Sequence, residues 1–443
     1  MDYTTDIVKI CKDNHIKFID LQFTDVAGSV KSITIPSDDL PAALKRGVWF
    51  DGSAIESFAR VAESDMHLIP DIATFAILPW MIGDQATARL ICDVYTPDGQ
   101  PFQGDPRAVL RRALKDAADM GFTYNTAAEM EFFLFKPHPD GSIMPLVPHD
   151  MAGYFDTPSD LASGLLRQIS ATLATFNIGV DAMHHEIAPG QLEIDLRYTD
   201  AVAMADAVVT FRVAVKAIAQ RAGYFATFLP KPSQNLAGNG MHTHQSMNYL
   251  ATGKNAFADP GDPHGLSTVA KQFISGQLAH ARGMCAVLAP LVNSYKRLAS
   301  GYEAPTSINW ARINRTALIR VPRASNSEST RLELRCPDPS CNPYLAFAVM
   351  LAAGLDGIRC QMPVRMAAEE RLYQTDANSG PASPEVLPGS LNQALKALED
   401  DEVIRAQLGP VIYEKFTNAK RLEWEEYRVD VTPWELNKYL PLF

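Results

Sequence analysis

TAAEMEFFLF, residues 126–135, alternates with a period of two, so Glu129 and Glu131 fall on one face of an extended strand while Met130 and Phe132 fall on the other. QLEIDLRY (191–198) repeats the pattern, setting Glu193, Asp195 and Arg197 against Leu192, Ile194 and Leu196, and DAMHHE just upstream delivers Glu186. GMHTHQS (240–246) groups His242, His244 and Ser246, and TRLELRC (330–336) groups Arg331, Glu333 and Arg335 against Leu332 and Leu334. Together the four segments predict a sheet with one apolar and one ionisable face. For any one strand alone, a solvated face of an antiparallel sheet is the ordinary alternative. The four faces together fit it poorly, because they carry Glu, His and Arg and no lysine. The turns beside them, AGNG (237–240) and APGQ (188–191), are rich in glycine, which permits close backbone approach. Carboxylates converging with an imidazole are a ligand set for hard divalent cations such as Mg²⁺ or Mn²⁺, and neighbouring arginines suit phosphate or carboxylate groups. Metal-assisted phosphoryl chemistry is the reading that follows.

Outward from this core, NSYKRLASGYEAPTSINWARINRTALIRVP (293–322) adds Arg297, Arg312, Arg315 and Arg320 around a Gly-Tyr-Glu-Ala-Pro loop. No GxxxxGK[ST] or GxGxxG motif accompanies it, so a nucleotide-dependent reaction here relies on arginines and metal in place of a glycine loop. Residues 4–14 read as a short helix, and IKFIDLQFTDVAG, SVKSITI and ATARLICDVYT as strands of a small N-terminal unit. TPDGQPFQGDPR (96–107) concentrates Pro, Gly and Asp, which places a domain boundary near residue 103, between an N-terminal domain of residues 1–103 and a catalytic domain of residues 104–443. Beyond it, strands interleave with long helices in an α+β pattern. QTDANSGPASPEVLPGS (374–390) has loop composition ahead of a polar helical C-terminus.

The 443 residues, 47% hydrophobic and 21% charged, suit a packed protein of about two domains and exclude extended disorder. A formal charge of −11 with no basic run argues against nucleic acid as a partner. The six cysteines are scattered without CxxC spacing, which predicts reduced thiols in a cytoplasmic protein. The N-terminus MDYTTDIVKICKDNH lacks the apolar core of an export signal, and the longest apolar run, Leu345 to Leu355, is too short to span a bilayer. That run follows Asn342-Pro343 and reads as a buried helix.

In family order, WFDGSAIESFARVAESDM (49–66), AEMEFFLF (128–135), HHEIAPGQLEID (184–195), GNGMHTHQS (238–246), NSYKRLASGYEAP (293–305), NRTALIRVP (314–322) and RLELRCPDPSCNPYLAF (331–347) resemble class I glutamine synthetases of the bacterial and archaeal type. The resemblance covers nearly the whole chain. It implies a small β-grasp domain, then a catalytic domain on a curved antiparallel sheet flanked by helices, assembled as a dodecamer of two stacked hexameric rings. It implies ATP-dependent ligation of ammonia to glutamate through γ-glutamyl phosphate, in two steps and with two or more Mg²⁺ or Mn²⁺ ions per site. Residue by residue, it implies one metal on Glu131, Glu186 and Glu193, and another on Glu129, His242 and Glu333. Arg297, Arg315, Arg335 and the Gly238 backbone resemble contacts to glutamate and the transferred phosphate. Asp181, His244, Ser246, Arg320 and Arg331 resemble nucleotide contacts. Glu303 resembles the flap acid over the glutamate entrance, Asp51 the acid that binds ammonium and takes its proton, and Arg60 a glutamine-sensing arginine whose alternative role is an interface salt bridge.

The chain departs from the family pattern at two places. Ala237 stands where an Asn usually precedes the glycine, which bears on glutamate affinity or specificity, and Ala54 replaces the second serine after the DG turn, which bears on loop hydrogen bonding. The tyrosine segment adenylylated in one subclass is not seen; RLYQTDANSG stands there, and Tyr373 is a poor substitute. Two other functions compete: a γ-glutamyl ligase for larger amines, which the retained Asp51-Gly52-Ser53 turn disfavours, and a catalytically dead relative, which the six retained metal-ligand positions disfavour.

Overall fold

The structure, a computed structural model, describes residues 3–54, 65–144, 146–157, 160–299, 304–369 and 385–443. Arg60, Glu303 and Tyr373, together with most of the 374–390 stretch, lie outside the described residues.

The N-terminal sheet has six strands: β1 (Phe18–Thr24), β2 (Val30–Pro36), β3 (Val48–Asp51), β4 (Asp65–Pro70), β5 (Ala76–Ile77) and β6 (Thr87–Tyr95), in the order β2-β1-β6-β4-β3 with β5 also on β6. The hairpin β1–β2 closes where the sequence signals a turn, Asp25 accepting a side-chain hydrogen bond from the Ser29 N–H at 2.8 Å. Ile19, Leu21, Leu90 and Val94 are fully buried in the core of this unit. At its edge, β3 carries Asp51 at its exposed end.

The second sheet comprises β7 (Phe122–Phe135), β8 (Val180–His185), β9 (Gln191–Leu196), β10 (Thr199–Asp200), β11 (Phe225–Thr227), β12 (Met241–Tyr249), β13 (Trp310–Ala311), β14 (Ile319–Arg320) and β15 (Leu332–Leu334). Its order is β13-β14-β15-β12-β7-β9-β8, with β10 and β11 also on β7. Every pair is antiparallel except β13–β14. The apolar face, with Met130, Phe132, Leu192, Ile194, Leu332 and Leu334, joins the main hydrophobic core that also buries the helices Ala201–Arg221 and Pro343–Arg359. Each such side chain contributes about 1.5–3 kcal/mol relative to exposure, so this face fixes which way the acids and imidazoles point. The helix at Asn342-Pro343 starts as the sequence signals. Asn342 accepts from the N–H groups of Tyr344 and Leu345, while its amide donates to the carbonyls of Asp25 and Val26, tying the helix to the first hairpin's turn.

An ion cluster centred on a buried arginine ties the N-terminal unit to two helices. Arg107, on the helix Pro106–Asp119, meets Asp71, just after β4, at 2.7 Å, Asp93 on β6 at 2.6 Å, and Asp206 on the helix Ala201–Arg221 at 2.8 Å. Asp105 caps the Arg107 helix and is fully enclosed, so burial and the nearby Asp93 charge push its carboxyl up to about 7. Farther along the chain, His280 bridges Asp356 at 3.1 Å and Asp401 at 2.9 Å. The helix Glu402–Arg428 is broken at Gly409, whose φ of 75° and following Pro410 interrupt the regular turn. All six cysteines are free. Among the described residues, no helix is long and apolar enough to cross a membrane.

Candidate active site

Register puts the ionisable groups of neighbouring strands directly opposite one another. Glu131 on β7 faces Glu193 on β9, Glu129 faces both Asp195 on β9 and His242 on β12, and His244 faces Glu333 on β15. All of these except His244 line a cavity of about 460 Å³, with His184 on β8, Glu186 just after it, Gly238 and Gly240 from the loop before β12, and Arg297, Arg315, Arg320 and Arg335. The glycines are there because the backbone is crowded. A Cβ on Gly238 would sit 2.6 Å from the Pro230 carbonyl, and one on Gly240 would sit 2.8 Å from Arg297 Nη2 and 3.0 Å from Glu131 Oε1.

Like charges directly opposed in a sheet repel, and burial sharpens the repulsion. Glu193 is accordingly pushed well above the carboxylate range by burial and by the charges of Glu131, Glu129 and Asp195. Burial likewise raises Glu131, with Glu186 adding to it, and raises Asp195. Two acids go the other way. Burial acts on Glu129 too, but hydrogen bonds from His242 at 3.0 Å and His244 at 2.7 Å outweigh it and hold the group well below its usual value. Glu333, also opposed by burial, is lowered by the His242 and Arg335 charges; it pairs with Arg320 at 2.6 Å and with Arg335. Ligand atoms of Glu129, His242 and Glu333 lie within 4.8 Å of one another, and so do those of His184, Glu193 and Asp195. This donor set suits hard divalent cations: oxygen ligands dominate, one imidazole joins each group, and acids that repel one another in the bare site are stabilised by a shared cation.

A second cavity of about 420 Å³ shares Glu129 and Asp195 with the first and is lined by Asp181, His244, Ser246 and Arg331. Four of the five residues matched to nucleotide contacts therefore meet in one adjoining space, and Arg320 lies in the first. Asp181 is turned partly to solvent, pairing with Arg197 at 2.8 Å. Asp51 stands apart: among the described residues, every one lining the first cavity comes from position 129 onward. Its carboxylate accepts from the Ser53 hydroxyl at 2.6 Å and the Ser53 N–H at 2.9 Å, which hold it below the usual range.

Gln191 was not among the residues singled out from sequence, yet its amide donates to Glu131 at 3.0 Å, to the Gly238 carbonyl at 3.0 Å and to Asn239 Oδ1 at 3.1 Å. Carrying the period of two one step back from Glu193 finds it. Tyr198, whose hydroxyl lies 2.5 Å from Ser246 Oγ, and Tyr154, in the first cavity beside Arg315, follow no such period.

Two family models match the chain: "Glutamine synthetase, beta-Grasp domain" over residues 15–97 and "Glutamine synthetase, catalytic domain" over residues 103–439. The chain belongs to the glutamine synthetase family. It is 48% identical to the glutamine synthetase of Thermus thermophilus over 100% of both chains, and 46% identical to that of Clostridium saccharobutylicum over 98% of both. Among solved structures it is similar to one described as "Apo GmaS without ligand", with a TM-score of 0.86, 35% identity, and coverage of 98% of this chain and 99% of that one. As a glutamine synthetase it is α+β with a β-grasp N-terminal domain, and it is a glutamate–ammonia ligase that uses ATP and divalent metal. The reaction joins ammonia to L-glutamate and yields L-glutamine, ADP and phosphate.

Proposed function

We propose that the first cavity is the ligase centre and that it works in two steps. Glu131, Glu186 and Glu193 would hold one divalent ion, Mg²⁺ or Mn²⁺, and Glu129, His242 and Glu333 the other, beside the nucleotide phosphates. When bound, these ions neutralise the charge between two anions, the glutamate γ-carboxylate and the ATP γ-phosphate. Arg297, Arg335 and the Gly238 backbone orient glutamate, and Arg315 stabilises the phosphoryl group in transit. Asp181, His244, Ser246, Arg320 and Arg331 hold the nucleotide. A γ-carboxylate oxygen attacks the γ-phosphorus while the bond to the ADP oxygen breaks. Ammonia then adds to the acyl carbon and phosphate leaves with the C–O electron pair. Asp51, kept ionised by Ser53, binds ammonium and accepts its proton. Glu303 closes the glutamate entrance against water, and Arg60 senses glutamine. The observation that carries this reading is the register, which stacks four carboxylates and an imidazole of β7, β9 and β12 beside buried arginines.

We place the domain boundary at residues 103/104, the protein in the cytoplasm, and twelve subunits in two stacked hexameric rings, with each site shared between neighbours. Asp51 lies on an exposed sheet edge and outside the cavity of its own chain, which supports sharing. An apolar C-terminus supports assembly: Trp434, Leu440, Leu442 and Phe443 are 59%, 74%, 70% and 101% exposed in the single chain. Asp51→Ala and Arg335→Ala should each give inactive oligomers. Co-assembled at equal amounts they should regain about one quarter of wild-type activity, because in a heterologous ring that share of junctions pairs an intact Asp51 with an intact Arg335. No recovery despite demonstrated co-assembly would place both residues in one chain's own site.

A further inference from the structure

The acid Glu186 does not sit on a strand; it follows the last residue of β8 and opens the turn 186–190 that leads into β9. Its reach into the cavity therefore depends on what fixes that turn. Four contacts converge there from the segment 149–155. Asp150 Oδ1 faces His185 Nε2 at 3.0 Å and accepts from the Gly190 N–H at 3.3 Å, so one carboxylate grips both ends of the turn. The Phe155 N–H donates to the His185 carbonyl at 3.1 Å, and the Phe155 ring packs edge-on to His184 at 4.8 Å. His185 is fully buried, and its other nitrogen, Nδ1, reaches the Glu186 carbonyl at 2.7 Å. Phe155 holds a φ of 60°, a conformation that non-glycine residues keep only where surrounding contacts impose it.

We propose that Asp150 is a positioning residue for the metal site: through His185 it fixes the backbone of Glu186 and so aims that carboxylate at the cation. The inference rests on Glu186 being a metal ligand. An outer residue of this kind sets ligand orientation without touching the ion, and its loss weakens metal binding by on the order of 10- to 100-fold. His149 stands behind the pair, buried, with Nε2 2.9 Å from Asp150 Oδ2, and completes the enclosure of the carboxylate.

The test is a Mn²⁺ titration of the full-length oligomer, followed by electron paramagnetic resonance without substrates, on wild type, Glu186→Gln, Asp150→Leu and Asp150→Asn. Asp150→Leu should weaken one Mn²⁺ site by on the order of 10- to 100-fold and leave the other unchanged, and Glu186→Gln should weaken the same site. Asp150→Asn keeps an acceptor oxygen and should restore affinity to near wild type. In turnover, Asp150→Leu should recover its kcat at high Mg²⁺ with the KM for ATP unchanged. If Asp150→Leu does not fold, His185→Phe, which fills similar volume without either ring nitrogen, takes its place with the same expected shift. A weakened site in Glu186→Gln beside unchanged affinities in Asp150→Leu would overturn the positioning role alone. Unchanged affinities in Glu186→Gln would overturn the ligand assignment and the positioning role with it. Loss of a whole metal equivalent in Asp150→Leu that Glu186→Gln retains would make the His149–Asp150–His185 group a cation site of its own, and would also overturn the proposal.

Discussion

Replacing Glu333 with alanine is expected to lower kcat by on the order of 10³-fold, the size of effect seen when one fixed electrostatic group is removed from a transition state. Glu333 is fully buried on β15, between Arg320 on the adjacent β14 and Arg335 two residues on, with His242 Nδ1 4.0 Å away. Two effects compound. The proposed metal site loses an anionic ligand, and the buried Arg335 and the partly exposed Arg320 lose their shared carboxylate. Removing one partner of a buried pair costs about 3–5 kcal/mol, so the alanine variant should also unfold at lower temperature. Glu333→Gln separates the two. It keeps the volume and one acceptor oxygen, so it should recover most of the lost stability while kcat stays low. Glutamate affinity, measured by calorimetry without nucleotide, should move little in either variant. A glutamine variant that turns over within tenfold of wild type would remove Glu333 from the ligand set.

Exhaustive chelation is the second large effect: turnover should vanish, and the unfolding midpoint should fall by a margin that grows with pH. Burial and mutual repulsion raise Glu193, Glu131 and Asp195 above their unfolded values. An acid raised on folding contributes stability that is fully present below its unfolded pKa and is lost as pH rises through its folded value. The bare site therefore becomes a growing liability as pH rises through those folded values. Glu129 and Glu333 are lowered on folding, so their contribution has the opposite sign and is lost only as pH falls through their folded values. A cation relieves the raised group and displaces its protons. A ligand at a hundred times its dissociation constant stabilises the native state by about 2.7 kcal/mol. Thermal unfolding at about pH 6 and about pH 8, with Mg²⁺ or with excess chelator, should show the larger metal-dependent difference at the higher pH. Equal differences would mean that these acids are not sharing a cation.

The faces of the sheet were legible in the sequence because a period of two is a strong constraint once one side must be buried. Glu129, Glu131, Glu193, His242, His244 and Glu333 all follow from it, and the structure sets them on one cavity or its neighbour. Strand order was not legible. That His242 opposes Glu129 while Glu131 opposes Glu193 is decided by which strands pair, and alternation within a strand carries no information about its neighbour. Glu186 was singled out beside the QLEIDLRY strand, but its role as a metal ligand came only through resemblance, because its placement comes from a turn held by Asp150 and His185, more than thirty residues apart in the chain. The parallel pairing of the two-residue strands β13 and β14, and the Arg107 cluster linking helices to the first sheet, likewise depend on long-range packing that leaves no local signature. Asp51 was reached through the resemblance carried by WFDGSAIESFARVAESDM, with no periodic signal of its own, and it lies at the exposed end of β3.

The central claim is that the γ-carboxylate of glutamate attacks the γ-phosphorus of ATP before ammonia arrives, and the fate of one oxygen atom tests it most directly. Glutamate carrying ¹⁸O in its γ-carboxylate is incubated with the enzyme, ATP, Mg²⁺ and ammonium, and the released phosphate is examined by mass spectrometry. If the carboxylate is phosphorylated, the attacking oxygen leaves with phosphate, so each phosphate carries a single ¹⁸O from glutamate and the other remains in the glutamine amide. Phosphate free of label, formed together with glutamine, would contradict the account.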